Sequence, residues 1–227
     1  MESISGTSEA IHRQACDIRT LSAEAGRRLG EAAGCAGEMN LATEKLLALV
    51  SRFRTGSNEL ESVIDLSARW RDTLEARIQA LAAKGVDVFD QAFRPVPGTV
   101  PQKYLTAYTA TFAQELQALV DQARKELGSI YSLPVDTLGY MAIHHSDVSQ
   151  PMTGDPAVDL PRSRHQKLYF TVETEKRRSR NTEPFLFQTY MRDTGEILND
   201  LSMPIQVQGR HWGALVSGFR PERFIQG

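Results

Sequence analysis

Hydrophobic and polar positions follow two different rhythms along the 227 residues of this chain, and the change falls near residue 130. Through residues 8–54 apolar side chains recur at steps of three and four, at Ile11, Ala15, Ile18, Ala25, Leu29, Ala32 and Ala36, with no proline between them. That spacing predicts one long helix that stops at a Thr-Gly-Ser-Asn break around Gly56. Its seam is made of small side chains, and Gly26, Gly30, Gly34 and Gly37 weaken the helix taken alone. It is therefore expected to lie close against a partner helix.

A second helix begins at Asn58, a good cap residue with Glu59 and Glu61 in the turn that follows. Leu60, Ile64, Ser67, Arg71, Leu74, Ile78 and Leu81 form a heptad seam with two polar interruptions, so this stretch is expected to bundle within the chain or with a second copy. Residues 93–101, FRPVPGTVP, cannot continue a helix. A third helix is expected over 102–127, with Tyr104, Tyr108, Phe112, Leu116 and Leu119 along one side. After Leu133-Pro134 the heptads give way to short apolar runs at 138–144, 185–191, 203–208 and 211–219, separated by turn signals such as Asp193-Thr194-Gly195. The last three runs are close in sequence, and an antiparallel meander is the economical topology. Residues 146–182 are too long for a bare loop. Short helices are expected there, in the kind of segment where binding function concentrates.

The fold class is thus α+β: long N-terminal helices forming a coiled-coil stalk, followed by an antiparallel sheet domain. The predicted division is 1–56 and 57–227, the second part comprising helices over 57–130 and the sheet over 131–227.

Composition narrows the function. With 41% hydrophobic and 24% charged residues the chain has the means to build a core, and a net charge of −2 with pI near 6.2 offers no basic field for nucleic acid or anionic lipid. No apolar run approaches the roughly 18–20 residues of a spanning helix, and the opening MESISGTSEA lacks signal-peptide features, so a cytoplasmic location is expected. Cys16 and Cys35 would stand roughly 28 Å apart on one unbroken helix, too far for a disulfide. There is no GxSxG elbow, HExxH, CxxC or GxxxxGK[ST] loop. No catalytic activity and no cofactor are expected.

Candidate binding residues cluster in the second half. His144 and His145 close the first apolar run; as strand neighbours they would face opposite ways, which argues for a hydrogen-bonding role over a shared metal. Arg164 and Tyr169, with Lys167, fall on a segment read as helical, where the fork of Arg164 matches a carboxylate ligand or, alternatively, Asp155 or Asp159. In the run at 185–192, Phe185, Phe187, Thr189 and Met191 share one face while Leu186, Gln188, Tyr190 and Arg192 share the other. Asp200 could reach Arg192 or hold a ligand ammonium group. The candidate ligand-binding set is Tyr140, His144, Arg164, Tyr169, Gln188, Tyr190, Arg192 and Asp200. The basic run KRRSR at 176–180 reads as a solvated turn, and Trp212 as core.

Three blocks carry a family likeness: FRPVPGTVPQKYL (93–105), GYMAIHHSDVSQPMTGDP (139–156) and RNTEPFLFQTYMRDTGEILNDLSMPIQVQGRHWGAL (180–215). Together they resemble the C-terminal sensory region of a subset of bacterial methyl-accepting chemotaxis proteins, in which a Cache-like, PAS-like domain follows the signalling helices. The segment NLATEKLLALVSRFRTG (40–56) is similar to the end of the receptor coiled coil. His144 matches a histidine of that pattern, whereas His145 stands where asparagine is usual. The resemblance implies a ligand pocket on one face of an antiparallel sheet and a sensor that biases the attached helices. It also implies as partners a small molecule such as a carboxylate or an amino acid, a second copy of the chain, and chemoreceptors or their coupling protein and kinase. The alternatives are a dimerising scaffold of a receptor array and a metal or redox sensor acting through His144.

Overall fold

The structure is a computed structural model that describes residues 2–50, 59–192 and 195–224. The chain divides into two compact units, Met1–Leu46 and Leu47–Gly227.

Helix α1 (Glu2–Val50) is continuous. Its seam is exposed where side chains are described: Ile18 and Leu29 are 64% and 71% exposed, and Ile11 lies outside those residues. A Cβ added at Gly26, Gly30, Gly34 or Gly37 would meet nothing within 4 Å, so among the described residues nothing packs closely on these small positions. Cys16 and Cys35 are both free thiols.

Helix α2 (Glu59–Ala83) buries Leu60, Val63, Ser67, Trp70, Leu74, Ile78 and Leu81. Five of these are the expected seam, and all of them but Ser67 join the sheet core of the same chain. Two-residue ladders follow: β1 (Arg94–Pro95) pairs with β2 (Tyr104–Leu105). The third helix, α3 (Thr109–Leu127), therefore starts seven residues later than expected. The delay has a local cause: the Asp90 carboxylate accepts the Ala107 N–H at 2.6 Å and Thr109 Oγ1 accepts the Thr106 N–H at 2.8 Å, holding the approach to the helix in a turn.

The remaining elements are β3 (Tyr131–Asp136), β4 (Tyr140–Met141), α4 (Pro156–Arg162), β5 (Lys167–Leu168), α5 (Glu173–Ser179), β6 (Leu186–Met191), β7 (Ile197–Val207) and β8 (Arg210–Phe219). Four strands form an antiparallel sheet in the order β3-β8-β7-β6, and β4 pairs with β5 separately. The fold is thus α+β with antiparallel sheets. The apolar run at 138–144 yields only β4, whereas β3 lies over the Leu133-Pro134 step read as a boundary. Proline is tolerated there because β3 is an edge strand, where one side of the backbone needs no ladder partner.

Beyond the end of β6, β7 has a neighbour on one side only. Helix α2 covers the open side. Arg71 donates to Pro204 O at 3.1 Å, Glu75 accepts the Gln206 N–H at 2.6 Å, and Gln79 accepts the Gln208 N–H at 2.6 Å. Residues four apart on the helix thus meet alternate residues of the strand and of the turn that follows it, and the polar interruption at Arg71 is one of these contacts. Unpaired strand edges invite foreign pairing, and this one is closed by side chains instead.

Glu75→Ala should leave the Gln206 amide without its acceptor, cost about 1 kcal/mol of stability, and speed hydrogen exchange at Gln206. Denaturant titration and amide exchange on the variant check both.

Candidate functional site

Reading the register across the sheet places Tyr131 (β3), Gly218 (β8), Asp200 (β7) and Gln188 (β6) in one row on one face. Asp200 and Gln188 are fully buried. A carboxylate in that position needs donors, and two converge on it. The Tyr131 hydroxyl donates to Asp200 Oδ1, and Arg178 Nη1 donates to Oδ2 at 2.9 Å. Burial pushes the Asp200 carboxyl above its ordinary value, while the Arg178 guanidinium and the Tyr131 hydroxyl oppose that push. Tyr131 reaches Asp200 only because position 218 has no side chain: a Cβ there would stand 2.4 Å from Tyr131 Cζ.

Helix α5 supplies Arg178 and is fastened to the same face. Ser202 Oγ donates to Arg178 O at 2.6 Å and Gln188 Nε2 donates to Thr174 O at 2.8 Å. Glu175 Oε2 accepts the Thr171 and Val172 N–H groups at the start of the helix. The run KRRSR is thus the last part of a helix and not a solvated turn: Arg178 and Ser179 face inward with Glu175, and Arg180 faces out.

Beside this network is a small cavity lined by Tyr131, Met141, His144, Arg164, Tyr169, Arg178 and Arg192. Its volume is about 10 Å³, roughly the room of one water molecule. His144 enters from the turn after β4. Its Nδ1 accepts the His145 N–H at 2.8 Å, which puts the imidazole proton on Nε2. Burial holds its pKa well below the ordinary value, with His145 and nearby arginines acting in the same direction, so the ring is neutral. Arg164 follows α4 in irregular chain, not in the helix expected there; Nη1 donates to Leu160 O and the guanidinium lies 5.9 Å from the Tyr169 ring centre. Tyr169 is placed by β5 and by its N–H to Gly139 O at 2.8 Å. Gly139 has φ +77° and a Cβ there would fall 2.0 Å from Tyr169 O, so glycine is required. Arg192 leaves the end of β6, pairs with Glu196 at 2.7 Å and lies 5.9 Å from the Tyr131 ring centre.

Of the eight sequence candidates, His144, Arg164, Tyr169 and Arg192 line this cavity. Asp200 stands behind its wall, bound to Arg178 and not to Arg192. Gln188 serves α5. The Tyr140 hydroxyl donates to Tyr104 O at 2.7 Å and meets Thr109 Oγ1 at 2.9 Å, tying β2 to the start of α3. The Tyr190 side chain lies outside the described residues. Tyr131, Met141 and Arg178 were not anticipated. For Arg178 a signal existed: Glu175, Arg178 and Ser179 are three and four apart, the spacing of one helical face.

His145 has a structural role. Its Nε2 accepts the Ser132 N–H at 3.0 Å and its Nδ1–H faces Asp121 Oδ1 at 3.2 Å, linking α3 to the edge strand β3. The two imidazoles meet edge to face, 5.2 Å apart. Among the described residues no group of three His, Cys, Asp or Glu side chains could hold a metal ion, and no helix is long and apolar enough to cross a membrane.

Two predictions follow from the geometry. Gly218→Ala should displace the Tyr131 ring, break its bond to Asp200 and destabilise the fold by about 1–3 kcal/mol, measurable by chemical denaturation. The second concerns pH. Burial lowers His145 and His165 to about 4, and holds His144 well below its ordinary value. Each then binds fewer protons folded than unfolded, so its contribution is complete above pH 6.5 and is lost as pH falls toward 4. Asp136, raised by burial to about 6, acts oppositely, favouring the fold as pH falls from 6 toward 4. Asp200, also raised by burial, acts in the same direction as Asp136; three histidines against these two aspartates give a net loss of stability on acidification from pH 6.5 to 4, to be followed as the denaturation midpoint against pH.

Compared with known proteins, the chain matches no protein-family model and no curated protein.

Proposed function

We propose that this chain is a non-catalytic sensor and signal-relay module of the chemotaxis type. A small ligand binds in a Cache-like sheet domain and biases the geometry of the attached helices, and the long N-terminal helix relays the bias as part of a dimer in the cytoplasm. One observation carries the reading: a small, partly open cavity with three arginines and a neutral histidine in its wall, built directly on the Tyr131–Asp200–Arg178 network.

The relay has a physical route. Asp200 belongs to β7, whose later residues Pro204 and Gln206, with Gln208 in the turn that follows, are hydrogen-bonded to α2. A ligand touching Arg178 or Tyr131 acts on Asp200, and any shift of β7 along its axis is felt by the stripe Arg71, Glu75 and Gln79. A ligand changes such an equilibrium only by its difference in affinity for the two arrangements. Among the described lining residues Arg178 and Arg192 are each paired with a carboxylate and His144 Nδ1 accepts the His145 N–H, which supports a binding role.

A thermal-shift screen of small metabolites tests this. A ligand at a hundred times its Kd contributes about 2.7 kcal/mol, equivalent to a rise in melting temperature of about 5–10 °C for a chain of this size. The same ligand should alter amide exchange at Gln206 and Gln208, and Asp200→Asn should uncouple that change from binding. If no compound shifts the melting temperature and the chain instead captures chemoreceptors or their coupling protein, the scaffold reading replaces this one.

A further inference from the structure

Going beyond the sensor reading and independently of it, we infer that strand β6 pairs with β6 of a second copy of this chain, antiparallel about a two-fold axis at Thr189, joining the two four-stranded sheets into one.

An edge strand presents a row of backbone groups that its own sheet does not use. At β3 that row is answered within the chain: Ser132 N–H donates to His145, and Pro134, two residues on, has no N–H to offer. The far end of β7 is met by α2. Strand β6 is the other edge of the sheet, and its hairpin shows which groups point outward. Arg192 N–H donates to Glu196 O at 2.9 Å, so residues 192 and 196 form a hydrogen-bonded pair. In an antiparallel ladder such pairs alternate with non-bonded ones. Counting back through the register, Tyr190, Gln188 and Leu186 bond to β7, while Phe187, Thr189 and Met191 turn their N–H and C=O groups away from it. Among the described residues none of these outward groups has a hydrogen-bond partner.

The sequence of β6 does not defend this edge. LFQTYM contains no charge and no proline, and its register with β7 runs without a bulge. At its end Met191 and its cross-strand neighbour Ile197 are 67% and 56% exposed. Among the described residues of the four-stranded sheet these are the large apolar side chains left in water.

The occupant is a second copy because the row is its own complement. With Thr189 opposite the partner's Thr189, Phe187 falls opposite the partner's Met191, and Met191 opposite the partner's Phe187. Each of these pairs exchanges two hydrogen bonds, and every outward donor and acceptor of β6 is answered. A register shifted by two residues leaves one of the three facing chain outside β6. The side chains agree with the backbone: all three lie on one face, where methionine meets an aromatic ring and threonine meets threonine. Leu186 falls opposite the partner's Arg192, and no like charges are brought together. Such an interface is isologous, the same patch serving both copies, and it closes at two.

The full chain is followed by sedimentation velocity and by residue-resolved amide exchange from micromolar to millimolar concentration. Exchange at Phe187, Thr189 and Met191 is expected to slow by about tenfold or more as concentration rises, which reports pairing at β6 separately from any association through α1. Thr189→Lys and Thr189→Glu each set like charges across the axis and should weaken the pairing by about tenfold or more; an equimolar mixture of the two should restore it. Thr189→Pro removes an outward N–H without touching the ladder to β7, and should abolish the concentration dependence. The Thr189 side chain is exposed, and each variant is shown to melt cooperatively before its exchange is read, one that does not being set aside for the others. Fast exchange at the three amides at every concentration overturns the inference. Slow exchange at every concentration, unchanged by Thr189→Lys, means that another segment fills the edge and overturns it as well. So do charge variants that pair as the unaltered chain does. None of these results bears on the ligand screen, and the sensor reading stands or falls separately.

Discussion

A carboxylate placed in the middle of a sheet and closed off from water is tolerated only if its charge is answered, and Asp200 is such a group. The answers come from opposite directions in the chain: Tyr131 reaches over the bare backbone of Gly218, and Arg178 descends from α5. Neither would be in place for any other reason that its local sequence provides. Once both are engaged, α5 has a fixed seat on the sheet, its backbone is tied by Ser202 and Gln188, and the arginine that neutralises Asp200 becomes part of a cavity wall. The cavity is in this sense a by-product of satisfying one buried charge.

The same economy governs the edges of the sheet. Strand β3 has an open side, and His145 accepts one of its N–H groups while handing its own proton toward Asp121 on α3. Strand β7 runs past its neighbour, and α2 meets its exposed backbone with a stripe of three polar side chains. Helices α2 and α3 are therefore joined to the sheet by specific hydrogen bonds as well as by apolar packing. A purely apolar contact would allow the helix to slide with little penalty. Discrete bonds at Pro204, Gln206 and Gln208 resist that, and they make strand position and helix position one variable, as the proposed relay would require.

His144 and His145 show how adjacent identical residues acquire different duties. Both rings are buried and neutral, and the backbone N–H of one fixes the tautomer of the other. His145 spends both nitrogens on the protein. His144 spends one, and the second is directed to the cavity. The pair reads in sequence as a candidate for metal or for alternating faces of a strand, yet the strand stops at Met141 and the two rings sit edge to face.

Periodicity alone was enough to place the three long helices, the runs that became β6, β7 and β8, and the α+β class, because burial of one face imposes a repeat that survives in any tertiary context. His144, Arg164, Tyr169 and Arg192, singled out as polar residues in a region of short strands and loops, are brought by the fold to one cavity. What sequence pattern could not supply was partnership. Arg71 looked like a flaw in a seam, Pro134 like a boundary, KRRSR like a solvated run and Tyr140 like a ligand contact. Each has a role set by a backbone or side-chain group far away in the chain: Pro204 O for Arg71, the edge position of β3 for Pro134, Asp200 for Arg178 and Tyr104 O for Tyr140. Local pattern records which residues must leave water. Only the folded chain decides what each polar group meets once it has left, because hydrogen bonds are directional and their partners are brought together by topology.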